Sequence, residues 1–181
     1  MLKNKIRKKI INLRKNSFNS HLNIKINNLL KIVKKSKMPK PSIGGYYPVN
    51  FEIDCLKILK TLEKNNFKIS LPIVSKSNSM NFYRYSFKQP LQLNKYGIPE
   101  PNKKIKVYPD ILIVPLVAFD KDLYRIGYGG GYYDRYIAKL KKKKYFITIG
   151  FAYSFQIINK VPINKFDKNL DFIITENKVY K

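Results

Sequence analysis

The chain has 181 residues, 44% apolar and 14% aromatic, which is enough to bury a core and argues against disorder. One cysteine and one histidine exclude an internal disulfide and speak against a zinc site built from soft ligands. The formal charge of +26 invites a nucleic-acid partner. A general Lys/Asn/Ile bias explains it first, because lysines run along the whole chain and are densest at Lys141 to Lys144.

The opening MLKNKIRKKIINLRK is basic but has neither an apolar stretch nor a small-residue cleavage site, so no secretory signal is expected. No apolar run reaches the roughly 18 residues of a membrane span, and the single cysteine fits a reducing compartment, so a cytoplasmic protein without a membrane partner is expected. Leu2, Ile6, Ile10 and Leu13 share one face of a helix over residues 2–15. Phe18, Leu22, Ile26, Leu29, Leu30 and Val33 do the same over 18–35, and KMPKPS ends that pattern. IGGYYPV reads as a short extended piece. Asp54 then suits the N-cap of a helix carrying Leu56, Leu59 and Leu62.

FKISLPIV and MNFYRYSF read as strands, and QLNKYGIPEPN, with one glycine and two prolines, as a loop. DILIVPLVAF is a continuous apolar run, as in strands buried on both faces of a parallel sheet. YYDRYIAKLKKK is a helix with Ile137 and Leu140 inward. YFITIGFAY is a second buried strand, SFQIINKVP a short helix or turn, and LDFIITE a last strand. Alternating strands and helices without repeat or linker predict one α/β domain over residues 1–181, with a mostly parallel sheet.

RIGYGGGYYDRY, Arg125 to Tyr136, lies between the long apolar run and a helix. Strand, glycine loop and helix N-terminus bring backbone N–H groups to an anion. Gly127, Gly129, Gly130 and Gly131 supply freedom of backbone, and Arg125 supplies a planar cation suited to phosphate. No Lys-Ser or Lys-Thr follows, so the loop is not a Walker A motif. Tyr132 or Asp134 falls where a dinucleotide fingerprint needs its third glycine. Asp134, in the first turn of the helix, suits either a helix-dipole carboxylate or a Mg²⁺ ligand beside phosphate.

RIGYGGGYYDRY and the preceding DILIVPLVAFD resemble the signature loop and strand of the 5-formyltetrahydrofolate cyclo-ligase family. The likeness continues in order through KNKIR, YYPVNFEID with LPIV, YGIPEP and VPINKFDKNLDFIITE, over nearly the whole chain. It implies a three-layer α/β/α sandwich of the NagB/RpiA/CoA-transferase-like type. It also implies ATP- and Mg²⁺-dependent closure of 5-formyltetrahydrofolate, with or without a polyglutamate tail, to 5,10-methenyltetrahydrofolate, releasing ADP and phosphate. The expected enzyme is a monomer with no specific nucleic-acid partner.

By position, the resemblance assigns ATP contacts to Lys3, Asn4, Lys5, Ile6 and Arg7, to Arg125, and to Gly127, Tyr128, Gly129, Gly130, Gly131, Tyr132 and Tyr133. It assigns folate contacts to Tyr47, Glu52 and the Tyr128–Tyr132 segment, Mg²⁺ to Asp134 and Asp167, and catalytic roles to Arg125 and Tyr132. Glu52 suits the adjacent N–H donors of a pterin, though by sequence alone it reads as a solvated loop residue. Some members carry lysine at the position of Gly130 and glycine at that of Leu116; here Arg125 and the N-terminal segment supply the charge, and Leu116 suits the core. His21 and Cys55 match no functional position. Two other readings stand beside this one: a basic nucleic-acid module using its 25 Tyr and Phe for stacking, and a sugar-phosphate or CoA-type enzyme of similar fold.

Overall fold

A computed structural model describes residues 2–17, 23–75, 79–102 and 105–181. Chain order runs α1 (Leu2–Asn16), α2 (Ile26–Lys35), β1 (Ile43–Gly44), α3 (Cys55–Lys64), β2 (Ile69–Val74), β3 (Met80–Tyr85), β4 (Leu91–Leu93), β5 (Pro99–Pro101) and β6 (Lys106–Val107). It continues through β7 (Ile111–Pro115), β8 (Ala118–Phe119), β9 (Arg125–Ile126), α4 (Tyr132–Lys141), β10 (Ile147–Phe151), β11 (Phe172–Ile174) and β12 (Val179–Tyr180).

The main sheet is ordered β12-β11-β10-β7-β1-β2-β3-β6. Its five middle strands, β11 to β2, are parallel, and β12, β3 and β6 are antiparallel additions at the edges. The apolar run at 111–115 forms β7, in the middle of the sheet, because both its faces are covered. Ile111 and Ile113 pack with Leu29, Val33, Leu59 and Leu62 of α2 and α3. Leu112 and Val114 pack with Tyr136, Ile137 and Leu140 of α4 on the opposite face. Helices on both sides of the sheet make the expected three layers, and each fully buried Leu in them contributes roughly 1.5–3 kcal/mol.

The Asp54 side chain caps α3 by accepting from the Leu56 N–H at 2.9 Å, a bond worth about 1 kcal/mol. Four expectations are corrected. The apolar run stops at Pro115, and Ala118–Phe119 belongs to a separate hairpin with β9. The stretch expected as a loop at 91–101 is a β4–β5 hairpin, closed by Asn94, whose Oδ1 accepts from Tyr96 and Ile98. Its prolines are tolerated because the ribbon has two strands and pairs on one side only. In α1, Ile10 and Arg14 are buried, while Leu2 is 61% and Leu13 39% exposed. The second helix begins at Ile26; Phe18, His21 and Leu22 lie outside the described residues.

Candidate active site

The β8–β9 hairpin sets the position of the glycine loop. Asp120, buried in its turn, accepts from the N–H groups of Asp122, Tyr124 and Val161 at 3.1, 3.0 and 2.8 Å. This fixes the return of β9 along β8, and Arg125, the first residue of β9, is buried. Its guanidinium donates to Asp134 Oδ1 at 2.8 Å and to the Lys168 carbonyl at 2.7 Å. Burial pulls the Arg125 pKa down, and the charge of Asp134 opposes that. Arg125 therefore already spends one N–H of each terminal nitrogen on the protein.

Two glycines of the loop have left-handed backbone: Gly129 at φ 102° and Gly131 at φ 65°. A Cβ on Gly129 would stand 3.4 Å from the Arg7 guanidinium carbon, so the loop lies directly against α1. Gly131 is the N-cap of α4 and offers no side chain to the first turn, whose residues border the cavity. Arg135 donates to the Gly130 carbonyl at 2.8 Å, and its guanidinium sits 5.2 Å from the centre of the Tyr132 ring. The Tyr132 hydroxyl meets that of Tyr96, from the β4–β5 turn, at 2.9 Å.

Helix α1 docks on this loop at several points. Lys3 pairs with Asp167 at 2.5 Å, and Arg7 Nε donates to the Gly127 carbonyl at 2.7 Å. Arg7 also donates to Asn4, and Arg14 to the Tyr128 hydroxyl. Asp167 accepts a further bond from the Asn164 N–H at 2.6 Å, which fixes the 164–168 turn at the cavity edge. Of the five N-terminal residues expected on ATP, Lys3 and Arg7 line the cavity. Asn4 reaches it only through Arg7, Lys5 is exposed outside it, and Ile6 packs beside Val117 and Ile126.

On the far side, the 46–53 segment closes the cavity. Two consecutive left-handed residues, Asn50 and Phe51, turn the chain so that Glu52 folds inward. Glu52 Oε2 accepts from the Val49 N–H at 2.8 Å, while Oε1 is buried without a protein partner. Burial pushes the Glu52 pKa up to about 7, with the Val49 N–H, Arg14 and the Tyr128 hydroxyl holding it down. The solvated-loop reading of Glu52 is thereby corrected. Tyr47 lines the same wall; Cys55 lies behind it, donating to the Tyr46 carbonyl, its thiol pKa raised by burial.

One cavity of about 1070 Å³ joins these parts, from Lys3, Arg7 and the 127–133 loop to Tyr47 and Glu52. It is large enough for two substrates rather than one. Asp134 and Asp167 both border it and both act electrostatically on Arg125. Each faces a cation, Arg125 and Lys3 respectively. Among the described residues no group of three or more His, Cys, Asp or Glu could hold a metal. Two hard carboxylates suit Mg²⁺ that arrives with phosphate oxygens, not a protein-only cage. Sequence reasoning missed Arg14, Tyr96 and the Lys168 carbonyl. Lys3, Arg7, Ile10 and Arg14 lie at helical spacing on one face, so Arg14 was detectable once the cations were counted with the apolar residues.

The cavity opens beside Pro115, at the carboxyl end of a central parallel strand, which makes this an α/β protein of the class that binds ligands at strand ends. The profile of the 5-formyltetrahydrofolate cyclo-ligase family matches residues 2–176. A 5-formyltetrahydrofolate cyclo-ligase of Haemophilus influenzae is 35% identical over 133 residues, covering 70% of this chain and 71% of that protein. The solved 5,10-methenyltetrahydrofolate synthetase of Aquifex aeolicus superimposes with a TM-score of 0.77 at 30% identity, over 100% of this chain and 93% of the other. That of Mycoplasma pneumoniae does so at 0.73 and 29%, over 97% and 99%. The chain belongs to the 5-formyltetrahydrofolate cyclo-ligase family. Among the described residues no helix is long and apolar enough to cross a membrane.

Proposed function

We propose that the chain closes 5-formyltetrahydrofolate to 5,10-methenyltetrahydrofolate at the expense of ATP, releasing ADP and phosphate. The observation that carries this is the single cavity joining a cationic glycine loop to a buried carboxylate. The formamide oxygen is a poor leaving group. It attacks the γ-phosphorus, ADP leaves, the aminobenzoyl nitrogen attacks the activated carbon and gives up its proton, and the C–O bond breaks to release phosphate. Such a path needs placement and charge neutralisation more than a protein nucleophile.

In this reading Lys3, Arg7 and the 127–133 backbone with the α4 N-terminus hold the triphosphate. Tyr47 and Glu52 hold the folate, and Tyr132 stands where the substrates meet. Arg125 acts from beneath, fixing Asp134 and the 164–168 turn. Asp134 and Asp167 would hold Mg²⁺, which supplies neutralisation of phosphate charge when bound. We take the enzyme to be a cytoplasmic monomer acting as one domain on folates with or without polyglutamate tails. The direct test is formation of the methenyl chromophore with both substrates and Mg²⁺.

Two further outcomes follow. Glu52 binds a proton in the folded chain at pH values where the unfolded chain has lost it. Stability contributed by its neutral form is full below pH 4.5 and declines as pH rises to about 7, by about 3 kcal/mol. Glu52→Gln should therefore lose less stability than wild type between pH 5 and pH 7.5, measured by urea unfolding; equal losses contradict the assignment. If the +26 charge is bias, DNA and RNA should bind weakly, without sequence preference, and release at moderate salt. Tight binding of one defined sequence at physiological salt would favour the nucleic-acid reading.

A further inference from the structure

We propose that Arg14 is a positioning residue for the folate half of the reaction, setting Tyr128 and Glu52 from behind the cavity wall. The inference rests on the cyclo-ligase reading above. Arg14 is 1% exposed on α1 and forms no ion pair among the described residues, an unusual state for a buried guanidinium. One terminal nitrogen donates to the Tyr128 hydroxyl and the other to the Leu116 carbonyl at 3.4 Å. The Tyr128 ring centre lies 5.9 Å from the guanidinium carbon, so ring and hydroxyl are both held. Arg14 does not line the cavity, whereas Tyr128 and Glu52 do.

Arg14 of α1 and Tyr128 of the glycine loop act on Glu52, and Glu52 in turn acts on Tyr46 after β1, Cys55 of α3 and Tyr133 of α4. Arg14 is the cation among them. It opposes the effect of burial on the Glu52 carboxylate while donating its own hydrogen bond to Tyr128, and Glu52 Oε1 is left for a donor in the cavity. A cation that paired directly with Glu52 would compete with a folate N–H donor; one acting through Tyr128 does not. Arg14 thus lowers the pH at which Glu52 becomes a charged acceptor, and fixes the loop residue between the two substrate regions.

The test compares wild type, Arg14→Met, Tyr128→Phe and the double variant in steady-state kinetics from pH 6 to 9, with thermal melts to establish folding. Arg14→Met should raise KM for 5-formyltetrahydrofolate about ten-fold near neutral pH, with KM for Mg-ATP changed by less than about two-fold. Its acid limb in kcat/KM for the folate should move to higher pH, so that raising the pH restores part of the loss. Tyr128→Phe should move the folate KM and the acid limb in the same direction, and the double variant should cost less than the two singles combined. A folded Arg14→Met with wild-type folate KM and pH profile makes Arg14 a core residue only and overturns the proposal. If Arg14→Met does not fold, wild-type folate kinetics in Tyr128→Phe overturn it equally. A wild-type enzyme that forms no methenyl product overturns the cyclo-ligase reading and this inference with it, whereas an active wild type with unaltered variants overturns the inference alone.

Discussion

Arg125→Lys will fold with lowered stability and lose roughly ten- to a hundred-fold in kcat/KM. The positive charge survives the change, but one ammonium cannot reach Asp134 Oδ1 and the Lys168 carbonyl together in the geometry of the guanidinium. Losing one charge-assisted hydrogen bond costs about 1.5–3 kcal/mol, which sets the range. Because Arg125 is buried, the loss falls on the elements it ties: the start of α4 and the 164–168 turn, which both border the cavity. Thermal unfolding should therefore shift together with activity. Wild-type kinetics with a wild-type melt would remove Arg125 from the organisation of the site.

Asp134→Asn will raise the Mg²⁺ concentration needed for half-maximal rate far more than it weakens binding of the folate. Two effects act together. The amide is a poorer ligand for Mg²⁺ than the carboxylate, and it leaves the Arg125 charge without its partner. Asp167→Asn should act in the same direction through its pairing with Lys3, and the double variant should cost less than both singles combined if one ion is involved. The measurement is a Mg²⁺ titration of the rate in all four proteins. An unchanged Mg²⁺ requirement in Asp134→Asn would make Asp134 a partner of Arg125 and of the helix terminus only.

How much of this was legible in the sequence depends on the range of the interaction. The middle of the sheet was legible because burial on both faces leaves an unbroken apolar run, as in Ile111 to Pro115. The Asp54 cap was legible because its bond spans two residues. The break after Pro115 was not, because the strand and the following hairpin are equally apolar, and only the pairing of Ala118 with Ile126 separates them. The hairpin at 91–101 was hidden by its prolines, which read as loop until a partner strand is supplied. The composition of the glycine loop was visible, but the partners of its charges were not. Lys3 meets Asp167 across 164 residues, and Arg14 meets Tyr128 across 114. No spacing rule spans such distances, so neither the pairing of Lys3 with Asp167 nor the partner of Arg14 could be read from the sequence.

The central claim is that one cavity carries ATP and a formyl-folate to reaction. Purified protein should be mixed with 5-formyltetrahydrofolate, ATP and Mg²⁺, and the near-ultraviolet absorbance of the 5,10-methenyl product followed in time. The account predicts a rise that requires all three additions together and scales with protein, accompanied by release of one ADP for each methenyl group formed. Absence of the chromophore at any protein concentration, or its formation without ATP consumption, would contradict it.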